Sequence, residues 1–502
     1  MSRIFIRSTE LGLLIVAAIA FAATLASFEL SQGSTLSVTF LYLVGAFIGV
    51  FTVAHIALTI WAPYADQIML PVVSLLNGLG LIMVYRIDTA KDLGLANRQV
   101  MWSVIGVALL IAVLIIVRDH KVLTRYSYLL GALGLVLLAL PLVWPTSINA
   151  DARIWIQIGS FTLQPGEFSK ILLLMFFAQL LVQKRALFTV AGYRFFGISF
   201  PRLRDLAPIL LVWAIAILIM AVSNDFGPVL LLFSTVLGML FMATGRWSWL
   251  IIGLGLTALG GAFVYSLSAK IQDRFSAFRN PLDDVDGTGF QLSQSLFGMS
   301  WGGVTGTGLG EGHPDIIPVV WTDFILAAIG EELGLIGLTG VLILFALLVS
   351  RGFNTSLKVR DSYGKLLAAG LSLTMAIQIF VVVGGITALL PMTGLTTPFM
   401  SAGGSSLMAN YVLLALLLRI SNSARRPADE ASGNNANADG GHAQPAANAA
   451  PGMEHTGVFD MQQAQYAQYS AQPQHPQNSQ RPRRWQSSQR SQNSQRSQEA
   501  KR

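Results

Sequence analysis

From Leu11 onward the chain alternates long apolar runs with short polar connections. A helix needs about twenty apolar residues to cross bilayer hydrocarbon, and roughly twelve runs meet that rule. They are 11–29, 37–61, 67–85, 99–117, 127–146, 167–183, 206–222, 226–243, 247–267, 324–349, 366–390 and 405–420. Runs 67–85 and 226–243 are short enough to tilt or to be partly re-entrant. One polar, glycine-rich loop, 269–323, interrupts the series and ends in Trp321-Thr322-Asp323-Phe324, where apolar sequence resumes. The pattern predicts an all-α, polytopic membrane bundle in three parts. Residues 1–66 carry two additional N-terminal spans, 67–422 form a core with the loop 269–323, and 423–502 form a tail. The tail is rich in Gln, Ser, Ala, Asn, Pro and Arg. It has too few aliphatic side chains to offset its ordering entropy and is predicted to be disordered. Its basic end, Arg481 to Trp485, reads as solvated rather than lipid-bound.

Composition agrees with the membrane reading. Of 502 residues, 53% are hydrophobic and 12% charged, and the mean hydropathy is +0.59. A soluble domain carries about a quarter charged residues. Cysteine is absent, which excludes disulfides, thiolate metal sites and thiol nucleophiles. The first apolar run is long enough to span and lacks a small-residue cleavage site after it, so a removable signal peptide is not expected. The net charge of +7 lies mostly in the tail and in short connections, which points to topology rather than to nucleic acid. With Arg3 and Arg7 inside, alternate connections gather Arg118, Lys121 and Arg125; Lys184, Arg185, Arg194, Arg202 and Arg204; Arg246; Arg351, Lys358, Arg360 and Lys365; and Arg425 and Arg426. The opposite connections carry fewer cations. Both termini are therefore expected in the cytoplasm, and loop 269–323 with Asp323 outside.

Familiar catalytic toolkits are thin. No P-loop, no G-x-S-x-G elbow and no histidine pair at metal-ligand spacing is present. What remains is carboxylates and cations on the outer side. Asp323, where the chain re-enters apolar sequence, either caps the 324–349 span or takes part in chemistry. Glu331 and Glu332 follow two turns later within the same apolar run, and Asp323 and Glu331 lie near one helix face. A second outer connection contains Arg153, Trp155, Glu167 and Lys170. Trp155 fits an interfacial belt. Glu167 and Lys170, at i and i+3, either neutralise each other or leave Lys170 or Arg153 to meet an anionic ligand. Asp225 adds an acid on the same side. The broken, hydroxyl-rich stretch 391–406 has the irregular backbone tolerated where a cavity is lined.

Taken in order, these blocks resemble one family. They are Arg153…Trp155-Ile156…Gly159…Gln164-Pro165…Glu167…Lys170, Asp225-Phe226-Gly227, Gln291…Gln294-Ser295, Gly302-Gly303…Gly306…Gly308, Thr322-Asp323-Phe324-Ile325…Glu331-Glu332-Leu333-Gly334, and Pro398-Phe399…Ser401…Gly403-Gly404-Ser405-Ser406. They are similar to the SEDS family of shape, elongation, division and sporulation proteins, over most of 67–421. The two extra spans, with Ala62 to Asp66 and Leu75 to Gly80, look more like the actinobacterial RodA branch than the FtsW branch. Two positions depart from the family pattern: Trp321 stands where histidine is usual, and Gln-Pro-Gly where Gln-Pro-Ser is common.

The resemblance implies a ten-span core and a peptidoglycan glycosyltransferase that polymerises lipid II for elongation and cell shape. The family's essential aspartate falls on Asp323, implied as general base for the sugar hydroxyl. Arg153, Lys170 and Arg274 are the cations available for the leaving pyrophosphate, and a divalent cation (Mg or Mn) is an alternative. The implied partners are lipid II, the nascent glycan strand, membrane lipids and a class B penicillin-binding protein as transpeptidase, with no nucleic acid. Candidate substrate contacts are Arg153, Trp155, Glu167, Lys170, Asp225, Arg274, Gln291, Gln294, Ser295, Thr322, Glu331, Glu332, Ser401, Ser405 and Ser406. The competing readings are a lipid II flippase, a septal enzyme of the FtsW type, and a non-catalytic scaffold.

Overall fold

A computed structural model describes residues 7–33, 35–144, 153–159, 161–189, 193–195, 198–200, 203–223 and 225–427. All of them fall within one compact unit, Met1–Ser432. The predicted disordered tail lies, beyond residue 427, outside the described residues. Its first residues do not: the last helix runs through Arg425, past the predicted boundary at 423.

The helices are α1 (Ser8–Ser31), α2 (Val38–Trp61), α3 (Met69–Lys91), α4 (Leu95–Ile116), the short α5 (Val122–Arg125), α6 (Ser127–Val143), α7 (Gly166–Thr189), α8 (Leu203–Val222), α9 (Phe226–Thr244), α10 (Ser248–Leu267), α11 (Ala269–Arg279), α12 (Phe290–Gly302), α13 (Ile325–Glu332), α14 (Gly334–Lys358), α15 (Ser362–Ile386) and α16 (Gly404–Arg425). Two antiparallel hairpins, β1–β2 (Ile156–Ile158 with Phe161–Leu163) and β3–β4 (Tyr193–Phe195 with Ile198–Phe200), are the small departures from an all-helical fold. Among the described residues, ten helices are long and apolar enough to cross a membrane. Helices α6 and α8 coincide with the two remaining predicted runs, 127–146 and 206–222. The run 67–85 is a full helix through Lys91 and not re-entrant.

Helices α3, α15 and α16 form the centre: in their most apolar windows 83%, 72% and 89% of residues are buried, against 28% for α1 and 17% for α10. Polarity inside follows the membrane logic, with buried Asn77, Gln99, Gln378 and Asn410 among the central helices. The two ends differ. At one, Arg7 donates to the carbonyls of Ala62 (3.0 Å) and Ala65 (3.1 Å), Arg419 donates to those of Trp61 and Val117 (2.6 Å each), and Asp66 pairs with Arg425. At the other, Arg86 of α3 meets Glu332 of α13 at 2.9 Å, and Ser31 reaches the carbonyl of Leu309 at 3.1 Å.

Two expectations change here. Loop 269–323 is not open polar chain, because it folds into α11, α12 and a 3-10 turn at Pro314–Ile316, with Leu292, Ser293 and Ser295 buried. The predicted span 324–349 is also two helices. The chain breaks between α13 and α14 at Gly334, whose φ is +65° and where a Cβ would overlap the Gly306 nitrogen and the Val304 carbonyl. Only glycine fits both the backbone and the space there.

Candidate active site

Asp323 is not a helix cap: α13 is preceded by Phe324 and has no side-chain cap bond. Its position is set by the segment between α15 and α16. The Ser401 hydroxyl donates to the Thr322 carbonyl, and the Ala402 N–H donates to the Trp321 carbonyl at 2.8 Å. That segment is itself held from below, by Asn77 on the Phe399 carbonyl (3.1 Å) and Gln99 on those of Met400 and Ser401 (3.3 Å each). Val319, Ala388 and Phe399 all have positive φ, at 53°, 54° and 64°. Such conformations cost of order 1–3 kcal/mol each and persist where surrounding packing over-determines them.

Asp323 and Arg274 converge over Gly394. A Cβ on that glycine (φ 75°) would lie 3.7 Å from Arg274 Nη2 and 3.8 Å from Asp323 Oδ2, so both charged groups border the same bare stretch of backbone. Arg274 Nη1 also donates to the Thr393 carbonyl at 3.4 Å, and the Thr322 hydroxyl donates to Asp323. Burial pushes the Asp323 carboxyl above the usual range, against the lowering effect of the Thr322 hydroxyl, its own backbone N–H and Arg274. Burial depresses Arg274, while Asp323 and Asp225 support its charge. Asp225, just before α9, is pushed up to about 7 by burial and then by Glu167, with Arg274 and Lys270 opposing. The result is two half-buried acids of raised basicity that share the field of one guanidinium.

Glu167 and Lys170 do pair, at 2.6 Å. The ammonium also reaches Gln378 Oε1 at 3.3 Å, Gln378 Nε2 donates to the Thr396 carbonyl at 2.8 Å, and the Thr396 hydroxyl donates to Ser406 at 2.7 Å. Ser405 accepts from the Gln164 N–H at 2.8 Å. These groups join α7, α15 and α16 beside the Asp323 segment.

Other candidates are placed elsewhere. Glu331 and Asp323 do not share a helix face, because α13 starts only at Ile325. Glu331 accepts from the His313 N–H at 2.6 Å, and Glu332 accepts from Arg86 and from the Gly310 N–H at 3.1 Å. Both glutamates hold the 303–313 segment. Gln291 and Ser295 donate to the backbone carbonyls of Pro318 (2.8 Å) and Ile386 (3.2 Å), and Gln294 is half-buried on the same helix. Arg153 is exposed and Trp155 half-buried at the start of the first hairpin. Sequence reasoning passed over Gln378 and Thr393. A glutamine inside an apolar run was the available signal for the first. The second lay within the irregular stretch 391–406, but nothing in the sequence marked it individually, since it acts through its carbonyl.

Among the described residues, no three histidine or acidic groups gather in a cluster able to hold a metal ion. Near Asp323 the acids face Arg274 instead of each other, a poor fit to a divalent cation, so no step is derived through one.

A model of the cell cycle protein family FtsW/RodA/SpoVE matches residues 66–426. The peptidoglycan glycosyltransferase RodA of Mycobacterium tuberculosis H37Rv is 49% identical over 431 residues, covering 84% of this chain and 92% of that protein. Stage V sporulation protein E of Bacillus subtilis is 33% identical, over 72% of this chain and 98% of its own. A solved chain from work on structural coordination of polymerization and crosslinking by a peptidoglycan synthase complex superposes with a TM-score of 0.59. It has 26% identity and covers 72% of this chain and 99% of that one.

Proposed function

The chain belongs to the FtsW/RodA/SpoVE family, and we propose that it is a peptidoglycan glycosyltransferase of the RodA type that polymerises lipid II, with Asp323 as general base. The observation that carries the reading is the carboxylate of Asp323: half-buried, desolvated, and facing a guanidinium across a glycine turn. A sugar hydroxyl is a poor nucleophile at neutral pH, and a carboxylate of raised basicity is suited to take its proton in the transition state. As the glycosidic bond forms, the bond from the donor sugar to undecaprenyl pyrophosphate breaks and negative charge grows on the phosphate. Arg274 is placed to stabilise that charge. Lys170 is already committed to Glu167 and Gln378, so it serves to position the segment at 396 rather than as a free clamp.

The Asp323 end faces outward and both termini lie in the cytoplasm, on the Lys/Arg asymmetry. Substrate must open the site. The cavity lined by Asp323 and 392–395 is about 20 Å³, and the adjacent one lined by Lys170 and Asp225 about 30 Å³. Each has room for a water or two and none for a disaccharide. A single-span transpeptidase of the class B penicillin-binding type is the partner, a reading supported by the likeness to a chain of a synthase complex. The flippase reading is weaker: among the described residues the ionisable groups gather toward the two ends of the bundle rather than lining a path through it.

The test is polymerisation of lipid II by the purified protein. Asp323→Asn should abolish glycan formation while the thermal unfolding transition and lipid II binding persist. Full activity in that variant removes Asp323 from the chemistry.

A further inference from the structure

Outside residues 66–426, in the helix pair α1–α2, lies a cavity of about 380 Å³. Its lining is apolar (Leu14, Ala18, Ala22, Phe47, Phe51) except at one end, where Thr52 and His55 border it. Leu11, Ile15, Ile19 and Ile48, also in the lining, are exposed, so the trough opens to the side of the bundle. His55 is only 9% exposed. Its Nδ1 meets Glu10 Oε1 at 2.6 Å, and Glu10 is paired with Arg7; the ring's Nε2 has no partner among the described residues. With Nδ1 donating to the Glu10 carboxylate, Nε2 is the ring's acceptor on the trough side.

The dimensions choose the occupant. Leu11 to Ala22 rises about 17 Å along α1, close to one leaflet's share, about 15 Å, of the hydrocarbon thickness. A partner's transmembrane helix would need a face twice as long. We propose that this trough holds one acyl chain of a phospholipid from the leaflet at the Arg7 end, with an N–H or O–H of the headgroup on His55 Nε2.

The test uses full-length protein in vesicles doped with phospholipids carrying a diazirine on one acyl chain, followed by peptide mapping. Phosphatidylethanolamine and phosphatidylglycerol should label α1 and α2 several-fold above α10, saturably, and above phosphatidylcholine, which has no headgroup donor. Ala18→Phe or Ala22→Phe should lower labelling to the α10 level with the unfolding midpoint retained. His55→Phe should keep chain labelling but erase the headgroup preference. Labelling equal to that of α10, or unchanged by both filling variants, overturns the site. Equal labelling by phosphatidylcholine overturns the role of His55.

Discussion

Asp225 offers the sharpest measurement on single residues. Its carboxyl titrates at about 7. Below that pH it is neutral and Arg274 acts on Asp323 alone, which lowers the basicity of the proposed base. Above it, Asp225 is anionic, shares Arg274 and raises that basicity. Polymerisation should therefore climb with pH through about 7, and Asp225→Asn should flatten that limb in a pH–rate profile. Arg274→Ala should cost about 10²–10³ in kcat, the usual loss when one charge-stabilising donor is removed, with Arg274→Lys recovering part. Asp323 itself was readable from the sequence as an acid at the border of apolar chain. Arg274 entered only as one of three cations the resemblance offered the pyrophosphate; its convergence with Asp323 over Gly394 was not readable, because it lies 49 residues earlier on α11 and no helical period links the two.

Among the elements, the break at Gly334 and the latch beneath it matter most. Arg86 donates to Glu332 and to the carbonyls of Gly310 (3.3 Å) and Gly312 (2.7 Å), tying α3 to the 303–313 segment. Arg86→Met leaves Glu332 buried and uncompensated, and should destabilise the protein by about 3 kcal/mol. Adding Glu332→Met should restore part of that, as read by unfolding in detergent. Apolar run lengths disclosed most helices, since hydrocarbon thickness leaves little choice. They misread 324–349 because hydropathy averages over Leu333-Gly334 and cannot see a single residue of positive φ. They also missed the helices within 269–323: α12 is buried by packing against α13, α14 and α15 rather than by its own apolarity, and α11 lies against α10.

Across the whole molecule, α1 and α2 are a cladding on the family core. They pack Phe21 on Phe47 (ring centroids 4.4 Å apart) and touch the 309–310 segment through Ser31 and through Gln32 Nε2, 3.3 Å from the Gly310 carbonyl. Removing residues 1–66 should lower the thermal midpoint and reduce, without abolishing, lipid II polymerisation. Complete loss would show the cladding to be part of the catalytic unit. The family blocks at 153–170 and 321–334 made this core legible from sequence.

Ser401 and Ala402, which grip the backbone of Thr322 and Trp321, are among the last of the described residues to leave the ribosome. A nascent chain already inserted through α13 thus carries its acid group without the brace that aims it. Activity is withheld until the final helix is threaded into the bundle, so an unfinished enzyme has no means of starting a strand it could not properly extend.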